Sequence, residues 1–269
     1  MSDESSLKKH DSLADRIRQH RQAVRGPVLV VEGVSDRTTL QPVLPGVSIF
    51  PAGNRRVALD ESHLLHQRGT TRWACIVDLD FDDEVASYDL GGHLHPYVGA
   101  DLEAMLVMLG VLHDLIEHLG SEDKIAREGG IDAVVNQACK TIFGIACLRK
   151  ENAANGWGLP FDTVPIEGKI DLRTLQFNVR GYCTALRPRT AIVDLQTLIE
   201  IATQEQGDEF HFSGKDVVAA VSVALRRRVG SLKKEQVNVE VLEASLRAAS
   251  AWRLSTADWL SQLKTILQS

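Results

Sequence analysis

Between Arg72 and Lys124 the sequence has no lysine or arginine, while twelve aspartates and glutamates fall in that interval. The basic residues lie outside it, with clusters at "RIRQHRQAVR" (16–25), "RPR" (187–189) and "RRR" (226–228). A formal net charge of −6 argues against a uniformly basic nucleic-acid binder. An acidic centre between basic flanks suits either a solvated acidic face or a metal site working on a polyanion. Cysteine is scarce as well: Cys75, Cys139, Cys147 and Cys183 are scattered without a CxxC pair. That excludes a disulfide framework and a cysteine-rich zinc site; Cys75, inside an apolar strand, reads as a small buried hydrophobe. No apolar run approaches the roughly 20 residues that span a membrane, and "MSDESSLKKHDSLADRIRQHRQ" is too polar for a signal peptide. Cytoplasmic residence, with no membrane, is the expectation. GxSxG, HExxH and Walker A motifs are absent, and "NGWGLP" is too short a glycine motif for a dinucleotide site. Internal repeats and low-complexity segments are absent too.

What is present is an ordinary globular composition, 44% hydrophobic and 25% charged over 269 residues, long enough for one large or two small domains. Leu7, Leu13, Ile17 and Val24 among charges predict an amphipathic helix over 6–25. Then "VLVVEG", "GVSIFPAG" (46–53) and "RWACIVDLD" read as strands, separated by helices at "SDRTTLQPVL" and "NRRVALDESHLLHQRG". Ser35 is the expected N-cap of the first of these helices. Strand, helix, strand, helix, strand implies an α/β fold with a Rossmann-like parallel sheet, whose ligands gather outside the strands' carboxyl ends. A glycine- and histidine-bearing loop (84–100) leads to a long buried helix over 101–120. Beyond it, helices are expected near 121–150, 190–206, 214–229 and 239–268, around a middle that holds a short hairpin. The resulting division is an N-terminal helix (1–25), an α/β domain (26–120) and a mainly helical subdomain (121–269).

The chemistry-bearing residues lie at strand ends. Glu32 stands at the tip of an apolar strand, before Gly33 and four residues ahead of Asp36; the alternative is a cap or surface acid beside a turn. A buried strand should not finish in "DLDFDD" without a compensating cation, because adjacent carboxylates repel and lose solvation. A hard divalent ion resolves that by taking oxygens from Asp78 and Asp80. Asp82 and Asp83 are already in the loop. Asp101 and Glu103 open the next helix, where acids also suit the helix dipole, yet Glu103 is placed to complete a second metal site. Lys215, after a glycine at a helix start in "HFSGKDVVAAV", can neutralise a phosphate or be a plain exposed lysine. His93 and His95 have the His-x-His spacing of a metal pair, but they fall among loop glycines with no further constellation.

"VLVVEGVSD" followed by "IVDLDFDD" resembles the TOPRIM signature of topoisomerases, primases and OLD-family nucleases. More closely, the chain resembles stand-alone TOPRIM proteins encoded beside ABC-type ATPases in bacterial defence islands, such as PARIS-type anti-phage effectors. "PAGN", "DLEAML" and "SGKD" recur in that group's order; the resemblance covers roughly 26–110 with a thin match at 214–216. Val34 departs from it, since that position is often polar or basic in relatives. The resemblance implies a TOPRIM fold and a metal-dependent nuclease. Glu32 would be a metal ligand and acid/base residue, Asp78 and Asp80 metal ligands, Glu103 and Asp36 completing the site, and Lys215 assisting at the phosphate. It implies one or two Mg²⁺ or Mn²⁺ ions, a DNA or RNA substrate such as transfer RNA, a toxic activity and control by an ABC-type ATPase partner. A homodimer would suit a cleaving enzyme, although no segment specifies an interface. The rival readings are a non-catalytic TOPRIM module that binds a partner or nucleic acid, and a small-molecule phosphohydrolase.

Overall fold

The computed structural model describes residues 12–188, 192–205 and 211–269. Residues 6–11 of the expected first helix, and Arg189 of the "RPR" cluster, lie outside the described residues. The chain divides into two compact units: Met1–Leu79, Asp83–Tyr97 and Leu254–Ser269 form one, and Asp80–Asp82 with Val98–Arg253 form the other. Where the sequence changes character near Gly120, the units instead part at Tyr97, and the last helix returns to the first unit.

In the first unit, α1 (Leu13–Ala23) begins at Ser12, whose hydroxyl accepts from the Asp15 N–H, and it buries Leu13, Ala14 and Ile17. Strand β1 (Val28–Val31) is followed by helix α2 (Val34–Leu40), strand β2 (Ser48–Pro51), helix α3 (Arg55–Gln67) and strand β3 (Trp73–Ile76). The three strands form a parallel sheet in the order β2-β1-β3, with Val31 opposite both Pro51 and Ile76. The α/β expectation therefore holds at this level. All four residues of β1 are fully buried, as a central strand covered on both faces must be. Val28, Val30, Trp73 and Cys75 join Ile17, Leu59 and Leu65 in one core cluster. Beyond β3, residues 93–95 add a single parallel bridge, the Cys75 N–H donating to His93 O and the His95 N–H to Cys75 O. Helix α13 (Asp258–Ile266) packs on β3, and its Trp259 indole donates to Pro96 O at 2.9 Å.

The second unit is helical. The long helix expected over 101–120 is two, α4 (Leu102–Met108) and α5 (Val111–Leu119). Gly110, at φ +84, takes the left-handed conformation that ends a helix, and an apolar pattern does not register that break. Helix α6 (Glu122–Arg127) leads to α7 (Ile131–Asn155), followed by α8 (Val179–Leu186), α9 (Leu195–Ala202) and α10 (Gly214–Arg227). Then come α11 (Val239–Ala249) and the short α12 (Ala251–Ser255), within which the chain passes from the second unit to the first. Among the described residues one helix, α7, has by length and composition alone what a membrane crossing needs, as a core helix also can; half of that stretch is buried in the protein. It packs against α10, and Gly144 allows it to meet α9, since a Cβ there would lie 2.2 Å from Ala202 O. The expected hairpin reduces to one antiparallel bridge between Ile170 and Phe177, closed by an Asp171 carboxylate that accepts from the Arg173 and Thr174 N–H groups.

Candidate functional site

In the first unit the site grows from the end of β1. Glu32 follows Val31 directly and is half-buried, and its Oε1 accepts the Asp78 N–H at 2.8 Å. Two carboxylates thus stand at the carboxyl ends of neighbouring parallel strands, one oriented by the backbone of the other. The "PAGN" turn is laced to the same tip: the Ala52 N–H donates to Val31 O at 2.8 Å and the Gly53 N–H to Glu32 O at 2.7 Å. Gly53 has φ +105, a conformation open to glycine and strained for other residues.

Asp36 is buried, and both its oxygens have partners. Oδ2 accepts the Gly33 N–H at 2.8 Å and Oδ1 accepts the Tyr97 hydroxyl at 2.8 Å. It locks the turn that carries Glu32 and, in this state, holds that turn rather than presenting a bare carboxylate. Sequence reasoning also missed Arg55, the first residue of α3 after the "PAGN" turn. Its guanidinium pairs with Glu84 at 2.9 Å and reaches the carbonyl of Leu79, the residue between Asp78 and Asp80, at 3.5 Å. Its signal was a cation at the start of a helix that follows a strand tip.

His93 and His95 are not a metal pair in this arrangement. His93 Nδ1 contacts Trp73 O and its ring stacks on Trp73 at 4.6 Å, while His95 Nε2 contacts Trp259 O and stacks on that indole. Burial depresses the His95 pKa, so its ring favours the neutral form. The Cys75 thiol is pushed up to about 12 by burial, which makes it a poor nucleophile.

The second unit holds the remaining candidates. Asp80 has φ +48; its N–H donates to Ala100 O at 2.8 Å and its carbonyl takes His211 Nε2 at 2.6 Å. Asp101 caps α4 through the Ala104 N–H at 2.7 Å and also accepts the Ser213 hydroxyl at 2.7 Å and the Gly214 N–H at 3.0 Å. The starts of α4 and α10 are therefore joined through one buried carboxylate. Gly214 makes this approach feasible, since a Cβ there would meet Ala104 N at 2.1 Å. The "SGKD" residues divide their contacts. Ser213 and Gly214 bind Asp101, and Asp216 is buried in a two-pronged pair with Arg149 at 2.8 and 2.9 Å. Lys215 is exposed at the helix start, and its charge acts on both Glu103 and Glu243.

Glu103 is buried and ion-paired with Arg247 of α11. Burial pushes its carboxyl above the ordinary glutamate range and Asp101 adds to that, against the pull of Lys215 and Arg247. The boundary between the units runs through Asp78-Leu79-Asp80. Glu32, Asp36 and Asp78 belong to the first unit, and Asp80, Glu103 and Lys215 to the second.

Among the described residues, no three His, Cys, Asp or Glu side chains are already gathered as a metal cage. Glu32 and Asp78 nevertheless fit Mg²⁺ by donor chemistry. That ion is bound through one or two carboxylates, keeps several waters, and takes phosphate oxygens from its substrate. No protein-family model matches the chain, and no curated protein is significantly similar to it in sequence.

Proposed function

We propose that this protein is a metal-dependent nuclease of the TOPRIM type that hydrolyses phosphodiester bonds in DNA or RNA. The observation that supports this reading most is the pairing of Glu32 with Asp78 at adjacent strand tips of a parallel α/β sheet, where such sheets collect their ligands. Glu32 and Asp78, both of the first unit, would hold Mg²⁺ or Mn²⁺. The ion would supply an activated water and neutralise the charge that develops on phosphate. The chain's own part is positional. The Asp78 N–H fixes the Glu32 carboxylate, and the Asp36 clasp fixes the turn behind it. The resemblance further suggests a toxic cytoplasmic effector of anti-phage defence, restrained and released by an ABC-type ATPase partner.

A second reading has its own support. Glu103, an expected ligand, is engaged by Arg247, which suits a TOPRIM module that binds nucleic acid or a partner without cutting. One assay separates the two. Purified protein is incubated with plasmid DNA or total transfer RNA, with Mg²⁺, Mn²⁺ or EDTA, alone and with an ABC-type ATPase of the kind the resemblance implies. Cleavage that needs metal and is lost in Glu32→Gln supports the nuclease; the amide oxygen of Gln still accepts the Asp78 N–H, so the fold is preserved. Cleavage that survives in Glu32→Gln overturns the assignment. Intact substrates under all conditions, with the ATPase present, favour the binding module.

A further inference from the structure

The amino end of the same sheet carries a second charged feature, formed entirely within the first unit. Helix α1 and the turn that ends α3 enclose a cleft of about 340 Å³, floored by Ala14, Ile17 and Leu65 and rimmed by Arg18, Arg21 and Arg68. Two of these guanidiniums are held in place by the protein itself. Arg21 Nη1 donates to Thr71 O at 2.7 Å, and Arg68 Nη1 pairs with Asp15 at 2.9 Å. The edge continues beyond the cleft, because Arg72 Nη1 donates to Arg25 O at 3.2 Å. Arg72 achieves this at φ +57, a left-handed conformation that costs a non-glycine residue about 1–2 kcal/mol. Its carbonyl accepts the Val28 N–H at 3.0 Å, which ties the arginine edge to the first residue of β1. Arg21, Arg68 and Arg72 are therefore fixed along one edge, with Arg18 on the rim of the cleft and exposed Arg25 joined through its carbonyl, and Asp15 pairs with Arg68.

Guanidinium groups bind phosphate oxygens through paired N–H donors, and fixing them beforehand reduces the entropy lost on binding. Arg21 spends its bond on a neutral carbonyl, so its charge stays available. An open row of arginines beside a shallow apolar floor suits a flexible phosphodiester chain better than an enclosed small molecule. Val28, which Arg72 holds, and Glu32 lie at opposite ends of β1, about 13 Å apart by the rise of four strand residues. That is comparable with a few nucleotide steps of about 3.4 Å each.

We propose that this arginine edge is a second nucleic-acid contact, a sequence-independent phosphate clamp that anchors the strand whose cleavage is assigned to the carboxylate end. It rests on the nucleic-acid reading given above, but it is tested without catalysis. The measurement is fluorescence anisotropy of a labelled 20-nucleotide RNA or DNA in EDTA, across a salt series. The proteins compared are the wild type, Arg18→Gln/Arg25→Gln, and a control Lys233→Gln/Lys234→Gln in the other unit. The expected result is a salt slope lower by about two in the arginine variant, one per phosphate contact, and affinity weaker by roughly tenfold or more. Because this readout is binding in EDTA and the hydrolysis assay reads metal-dependent cleavage, a failure of the hydrolysis reading and a failure of the clamp give different results. Absence of binding by the wild type, an unchanged slope in the arginine variant, or an equal loss in the lysine control would overturn the clamp. Displacement of the oligonucleotide by submillimolar mononucleotide or inorganic phosphate would overturn it in favour of a small phosphate ligand.

Discussion

At the residue scale, the two kinds of carboxylate in this protein behave differently because their surroundings differ. Glu32 and Asp78 are half-buried at strand tips. Glu103, Asp216 and Glu243 are drawn into the helical unit, and burial raises the pKa of all three. A carboxyl with a raised native pKa binds its proton more tightly in the folded chain than in the unfolded one. The stability it contributes is present in acid and is lost as pH rises from its unfolded value, about 4, through the raised native value. Glu103→Gln/Glu243→Gln should therefore flatten the fall in stability over that weakly acidic range, read as urea midpoint against pH. A slope identical to the wild type would show that these two groups are not the source. Glu32 and the Asp-x-Asp pair were legible in the sequence because an acid ending an apolar strand conflicts with burial. The partners of the buried acids were not: Arg247 is 144 residues from Glu103, and no local pattern joins them. Asp36 was legible as an acid near Glu32, but its engagement by Gly33 and Tyr97 depends on a contact 61 residues away.

At the element scale, the strands could be read because alternating apolar runs and polar helices leave few arrangements other than a parallel sheet. Helix ends were harder. Leu, Met, Val and Ile recur on both sides of Gly110 in 101–120, so the φ of Gly110 reveals the break between α4 and α5 where the apolar pattern does not. The junction of α4 with α10 depends on another glycine. Gly214→Ala would place a methyl group 2.1 Å from the Ala104 nitrogen, which neither helix can yield without disturbing the Asp101 clasp. The expected loss is at least about 1–3 kcal/mol, the usual range for overpacking, measured by urea unfolding. Gly168→Ala is the matched control, since nothing lies within 4 Å of its added Cβ. Equal stability for both variants would contradict the close approach.

At the scale of the whole molecule, charge is sorted rather than balanced. A lysine- and arginine-free stretch supplies the acids from Asp78 to Glu103, while the arginine edge gathers at the amino end of the sheet. The sorting was visible in the sequence as an interval and two flanks, but the sequence did not show that Arg68 and Arg72 join the 16–25 cluster on one edge. The central claim, that the strand-tip carboxylates hold a divalent ion, needs neither a substrate nor an activating partner to be tested. Mn²⁺ binding is followed by electron paramagnetic resonance on the wild type, Glu32→Gln and Asp78→Asn, with circular dichroism confirming that each is folded. The account predicts saturable binding by the wild type and a loss of at least roughly 10–100-fold in affinity in each variant, the scale seen when even an outer-shell partner is removed. Three superimposable binding curves would contradict it.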